Sequence, residues 1–326
     1  NQGEPEAWKD WWYEPAAKTF YFIGKDNIPF HAVIWPAELM GVERLYEDGS
    51  SKKLNLPYDV PANEFMNLEG KKISGSRNWA VWMDEALDRY DPDPLRYYLT
   101  VAMPEARDTD WRWDDFLRRN NDELVATWGN LAHRALTFAY RRFDGRVPTP
   151  GPLEDIDIQL LAQIEAGFGP IGELIAACKL RSALSEVMAL AREANRYLDE
   201  KAPWFQIKES REVAGTTIYV VLKAIDSLKV LFSPFLPFSS ERLHQYLGYE
   251  GSLFGRSYMS TFEEEGGRVH TALCYDRSSG TGEWKPSELP AGQALGEPEP
   301  LFRKLDESVV DEERARMGAR NLAAQA

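Results

Sequence analysis

The 326 residues, 44% of them hydrophobic and 12% aromatic, are enough to bury more than one core, and two domains are expected. The longest apolar stretch, residues 218–232, is broken by Lys223, Asp226 and Lys229, which argues against a membrane span; Cys178 and Cys274 stand far apart with no clustered His, which argues against a disulfide framework or a zinc site and fits a reducing, cytoplasmic setting. A net charge of −14 speaks against a nucleic-acid partner for the chain as a whole, yet between Arg112 and Arg146 seven arginines outnumber five acidic residues, so that segment is the electrostatic exception.

In chain order, residues 18–23 (KTFYFI) form a short β-branched and aromatic run ending at Gly24, and residues 29–40 are apolar enough for a buried helix that Pro36 bends or shortens. A polar connection over residues 48–58 precedes another predicted strand near 64–68, and the block reads as the tail of a parallel α/β sheet. Gly70, Lys71 and Lys72 lead into small polar residues as far as Asn78, a flexible basic loop with free backbone donors. Beyond Trp79 the chain turns helical, with residues 91–94 (DPDP) as a helix-start signal. From Leu117, apolar residues recur at Leu124, Trp128, Leu131, Ala135 and Phe138, the face of a packed helix. Residues 156–178, 182–198 and 213–232 repeat the pattern, which makes a helical bundle. Residues 262–300 accumulate Gly, Pro, Glu and Ser, predicting an irregular segment returning over the surface, before a charged helix over 306–320. No internal repeat stands out. The first residue is Asn1, and the chain is expected to be a piece of something longer.

Residues 22–39 read FIGKDNIPFHAVIWPAEL. On a helix His31 and Trp35 share one face and set a ring beside a polar group, a wall suited to a thioether; by spacing alone a core Trp beside a satisfied His is the stronger reading. Residues 72–76 read KISGS, where a cation, hydroxyls and backbone donors can stabilise charge developing on a phosphate, or simply form a solvated basic turn. Residues 129–145 read GNLAHRALTFAYRRFDG and place Asn130, Arg134, Thr137 and Arg141 in a polar stripe; residues 200–204 read EKAPW, with Trp204 after a helix-ending Pro203 as a platform for an unstacked base or as core.

Together these segments resemble the methionine–tRNA ligases, which are class I aminoacyl-tRNA synthetases. KISGS is similar to their KMSKS signature, with Gly75 in place of the second lysine, and the likeness continues through residues 233–248 (SPFLPFSSERLHQYLG) and 288–306 (ELPAGQALGEPEPLFRKLD). The resemblance implies catalytic roles for Lys72, Ser74 and Ser76. It implies ATP contacts from Gly24, Lys25, Asp26 and Lys72, a methionine pocket containing Ile28, His31 and Trp35, and anticodon contacts from Asn130, Arg134 and Trp204. The family's HIGH-type segment, first ATP-binding strand and cysteine knuckle have no counterpart here, so the chain is expected to be the C-terminal half, inactive alone.

The expected fold is an α/β remnant, the C-terminal part of a Rossmann-like catalytic domain, followed by a mainly α anticodon-binding bundle. The expected domains are 1–69, the catalytic remainder; 70–115, a connecting domain with the KMSKS-like loop; 116–260, the bundle; and 261–326, a returning tail with a final helix. Implied ligands are ATP with magnesium, methionine and the tRNA(Met) anticodon, with no zinc or other metal in this chain; the other implied partner is the N-terminal half, with no membrane and a monomeric state. Two other readings stay open: a non-catalytic tRNA-binding module and a protein-interaction scaffold, the latter favoured by the acidic total. A ligase for another aliphatic amino acid is disfavoured by the HAVIWPAEL segment.

Overall fold

The computed structural model describes residues 6–42, 53–264 and 266–317. The chain divides into two compact units, Asn1–Asn67 with Met103–Asp110 and Ser260–Ala272, and Leu68–Ala102 with Trp111–Met259 and Leu273–Ala326.

The first unit carries helix α1 (Lys9–Trp12), strand β1 (Ile23–Gly24), helix α2 (Trp35–Val42) and strand β2 (Ala62–Asn63). β1 and β2 run parallel, with Ile23 opposite Ala62 and Gly24 opposite Asn63, and a further parallel bridge joins Phe20 to Asp59. Parallel neighbours need a long crossover, here the one containing α2, so the parallel-sheet expectation holds. The strands are shorter than predicted. Residues 18–23 contribute only the Phe20 bridge and the end of β1, and the strand expected near 64–68 resolves into β2 and a separate strand, β3 (Met66–Leu68). Pro57 and Pro61 withhold ladder donors on the partner segment.

The helix predicted over 29–40 also differs. Phe30–Ile34 is a π-helical turn and only then does α2 begin. Pro36 has no N–H for an α-type bond, and the Trp35 N–H reaches back to the Phe30 carbonyl, one residue farther than an α-helix would take it. The polar connection expected from 48 to 58 lies, as far as residue 52, outside the described residues.

β3 turns into β4 (Lys71–Lys72) through Glu69 and Gly70, whose φ angles of 48° and 74° are the paired positive values of a type I′ hairpin turn. Helices α3 (Met83–Arg89), α4 (Pro92–Val101), α5 (Trp113–Arg119) and α6 (Asn130–Arg142) follow, the last two joined by π-type turns over Asn120–Gly129. The bundle continues with α7 (Asp155–Ala176), α8 (Leu180–Lys201), α9 (Pro203–Glu209), α10 (Arg211–Phe232) and α11 (Pro237–Tyr246). α10 buries Ile218, Val221, Leu222, Ile225 and Leu228 completely and packs on α6, α7, α8, α9 and α11, as a helix apolar on all sides should.

The predicted stripe is the inner face of the α5–α6 segment: Leu124, Trp128, Leu131 and Ala135 are buried, and Phe138 packs half-buried against the same core. The DPDP signal starts α4, and its Asp93 does more: its buried carboxylate accepts the Ser239 N–H at 2.6 Å, capping α11. Two expectations fail. Residues 262–300 are not wholly irregular, because Arg256–Glu263 and Val269–Asp276 pair as a two-stranded ribbon. Its outward-facing residues lack the apolar alternation that marks a half-buried strand, so the pattern does not show in sequence. The final helix α12 (Ser308–Arg316) starts two residues late, and residues 318–320 lie outside the described ones.

A buried polar network joins α10, α11 and the returning tail. Lys229 Nζ donates to Asp226 Oδ1 at 2.6 Å and sits 3.2 Å from His244 Nδ1, while the hydroxyls of Tyr249 and Ser287 donate to Asp226 Oδ2 at 2.7 and 2.6 Å. Burial, and then the neighbouring Lys229 charge, holds the His244 pKa down at about 4. A depressed histidine pKa means that the unfolded chain takes up the proton first as pH falls. His244 therefore contributes up to roughly 3 kcal/mol above about pH 6.5, lost progressively between about pH 6.5 and about 4. Urea unfolding of wild type and His244→Gln across that window should show a shallower pH slope in the variant; parallel slopes would rule the assignment out.

Candidate functional site

In the first unit the expected nucleotide and methionine residues lie close in sequence but differ in environment. Gly24 ends β1, and a Cβ built on it meets nothing within 4 Å among the described residues, at a strand's carboxyl end, where open α/β sheets place ligands. Lys25 pairs with Glu64, lies 3.7 Å from Asp108 and packs over the Phe65 ring at 4.6 Å; the Glu64 hydrogen bond above all raises its pKa. A phosphate taken by Lys25 would have to compete with two carboxylates. Asp26 and Ile28 are exposed.

His31 and Trp35 do share a face, because one π-helical turn separates them. Both meet Tyr21: its ring lies 5.7 Å from that of His31, and its hydroxyl accepts the Trp35 Nε1–H at 3.0 Å. Trp12 stands edge-on to Trp35 at 6.1 Å, and His31 Nδ1 is 3.1 Å from the Asn27 carbonyl. Sequence reasoning missed Tyr21 and Trp12. The aromatic runs around residues 12 and 21 were visible, but no local period connects them to the helix.

The signature-like loop is in the second unit. Its entry is set by the I′ hairpin, whose Glu69 carboxylate accepts the Trp113 N–H at 2.8 Å and the Arg314 Nε–H at 3.1 Å. The loop closes on itself: Ser74 and Trp79 exchange backbone hydrogen bonds of 2.8 and 2.9 Å, and Asn78, at φ 50°, accepts the Trp82 Nε1–H at 2.8 Å. The Ser74 and Ser76 hydroxyl oxygens are 3.3 Å apart. Lys71 lies over the Trp79 ring at 4.4 Å, whereas exposed Lys72 forms no ion pair among the described residues. A Cβ on Gly75 would come 3.5 Å from Trp82, ordinary contact, so a larger residue would fit where this chain has glycine.

Of the third group, Arg134 and Trp204 line one cavity and Asn130 does not. Asp157, fully buried, accepts the Tyr197 hydroxyl at 2.6 Å and lies 3.1 Å from Lys201 Nζ, which tethers the end of α8 to the start of α7. The chain then passes through Ala202 at φ 43° into α9. α8 stops just before Pro203, as expected, and Pro203 also begins the next helix, because its fixed φ and missing N–H suit a first helical position. This corner presents Trp204 to α6. The Arg134 guanidinium lies over the Trp204 ring at 4.7 Å and donates to Asp199 at 2.8 Å. Asn130 is exposed one turn earlier. Around them lies a cavity of about 400 Å³ with Phe138, Leu198, Pro203 and Ile218 in its walls and exposed Arg141 and Arg142 at its edge. The arrangement offers an aromatic face, cations and apolar walls, which is what an unstacked base requires. Asp199 was missed, since nothing in the EKAPW corner signals a carboxylate reaching back to α6.

Two family models match the chain: tRNA synthetases class I (M) over residues 1–136 and the anticodon binding domain of methionyl tRNA ligase over residues 147–264. The methionine–tRNA ligase of Thermomicrobium roseum is 57% identical over 322 residues, 98% of this chain and 53% of that protein, and that of Chloroflexus aurantiacus is 51% identical over 327 residues, covering 98% and 54%. Among solved structures, Mycobacterium tuberculosis methionyl-tRNA synthetase bound by methionyl-adenylate is similar at a TM-score of 0.71 and 26% identity, over 89% of this chain and 50% of that one. The chain thus spans about half the length of the relatives it matches.

Proposed function

Since this chain belongs to the methionine–tRNA ligase family, we propose that it contributes to ATP-dependent attachment of methionine to tRNA(Met), supplying part of the methionine and nucleotide sites, the signature loop and the anticodon reader. In that reaction the methionine carboxylate attacks the α-phosphate of ATP, pyrophosphate leaves, and the terminal tRNA hydroxyl then takes the acyl group from the adenylate. Magnesium arrives as the counter-ion of the nucleotide. Lys72 places its ammonium near the departing pyrophosphate, with the Ser74 and Ser76 hydroxyls as further donors; none of these residues forms a covalent intermediate. His31, Trp35 and Ile28 line the methionine pocket, where Tyr21 holds the Trp35 ring by its indole N–H. Gly24, Lys25 and Asp26 face the nucleotide. The setting is cytoplasmic and the active species a monomer completed by the rest of the ligase.

One observation supports the RNA half most directly: Arg134 stacked on Trp204 beside a cavity edged by Arg141 and Arg142, in a chain otherwise strongly acidic. Binding of the chain to a CAU anticodon stem-loop, and to loops with altered anticodons, tests it across a salt series. Trp204→Ala should weaken CAU binding about 10- to 100-fold, the cost of losing one base–aromatic stack. Equal affinity for all anticodons, or no effect of the substitution, would overturn the reading.

A further inference from the structure

Two residues that line the cavity beside Trp204 each carry a polar atom left unsatisfied. His133 Nδ1 and Thr137 Oγ1 are both buried and have no hydrogen-bond partner among the described residues. Almost all buried polar atoms in folded proteins are paired, so two orphans in one cavity mark a place where a ligand can complete the bonding. Residues 133 and 137 stand one turn apart on α6, as do 130 and 134, and the two pairs form adjacent stripes on one helix face. The Asn130 and Arg134 stripe is the more outward one, with Asn130 exposed and Arg134 already engaged by Asp199 and Trp204.

Resting on the RNA reading above, we propose that His133 and Thr137 form the inner surface of the base pocket and discriminate one anticodon base by its hydrogen-bonding edge. The cavity chemistry favours a heterocycle over a phosphate. Phe138, Leu198, Pro203 and Ile218 offer apolar surface to a planar ring, and the two unsatisfied atoms are a hydroxyl and an imidazole nitrogen, not fixed cations. Both atoms are covered as the chain stands, so a matching base pairs them by shifting the side chains over them. A base with the wrong edge buries the same surface and leaves a donor or acceptor unmade, and that asymmetry is what produces discrimination.

The test uses the 326-residue chain, the CAU stem-loop and loops altered at one anticodon position at a time. Thr137→Val keeps shape and removes one polar atom, His133→Phe keeps a flat ring and removes both ring nitrogens, and Thr137→Ser restores the hydroxyl. Each polar-atom deletion should weaken CAU binding about 10-fold and abolish discrimination at a single anticodon position, leaving the other two positions intact, and Thr137→Ser should bind like wild type. Affinity unchanged by both deletions, or reduced equally for every loop, overturns the proposal while wild-type CAU preference still supports the RNA reading. A wild-type chain with no CAU preference overturns that reading as well, and circular dichroism melting identifies any variant that has lost its fold, in which case the other deletion decides.

Discussion

Lys72→Ala is expected to slow methionyl-adenylate formation by a ligase containing this chain about 10²- to 10³-fold, the usual loss when one preorganised donor to a developing charge is removed. The expectation rests on the difference between two neighbouring lysines. Lys71 spends its ammonium on the Trp79 ring at 4.4 Å, while Lys72, exposed at the end of the hairpin, has no carboxylate partner among the described residues. Single-turnover adenylate formation and ATP–pyrophosphate exchange would measure the loss, which should fall on the chemical step with methionine affinity little changed. Lys71→Ala serves as the control and should cost less than about 10-fold, because a cation–π contact at an exposed site is a modest interaction. A larger effect at Lys71 than at Lys72 would reverse the assignment.

Glu313→Ala is expected to destabilise the second unit by about 4 kcal/mol. Glu313, 2% exposed, accepts from Arg89 Nε at 2.7 Å and Nη2 at 3.0 Å, from the Tyr90 hydroxyl at 2.8 Å and from Arg316 at 2.8 Å. Removing the carboxylate leaves the part-buried Arg89 guanidinium and the buried Tyr90 phenol without their acceptor, while Arg316, 44% exposed, keeps Glu312 at 3.7 Å; the loss is carried by the first two and exceeds the worth of the pair itself. Denaturant unfolding would give the difference in free energy, and the double variant Glu313→Leu with Arg89→Met should recover much of the loss. A change under about 1 kcal/mol would mean that the cluster behaves as an ordinary surface ion pair.

The two cases differ in how far they could be read in advance. The exposed basic turn that holds Lys72 was legible because it is contiguous in sequence, and so were the inner stripe from Leu124 to Ala135 and the start of α4, where one helical period or one Asp-Pro signal suffices. Glu313 was not legible. Its partners Arg89 and Tyr90 are more than 200 residues away, and a charged helix near a chain end gives no sign that one carboxylate is buried. The same limit applies at Trp204, where the platform and Arg134 were expected but Asp199, which holds the arginine, was not. At His31 and Trp35 the shared face was expected from α-helical spacing, and it survives for another reason, the π-turn that accommodates Pro36. The ribbon of Arg256–Glu263 and Val269–Asp276 escaped because both of its strands are largely exposed, which removes the alternation that sequence reading depends on.

The hairpin ahead of the signature loop fixes more than a direction. Strand side chains alternate between faces, so a two-residue turn at Glu69 and Gly70 counts out which of two identical side chains arrives on which side. With the turn as it stands, one lysine meets Trp79 and the next points clear of it. One residue more or fewer in the turn would exchange them, handing the indole to the lysine that now stands free. On the role proposed for Lys72, turn length decides which lysine is available, and an indel at positions 69–70 should mimic Lys72→Ala while leaving both lysines in the sequence.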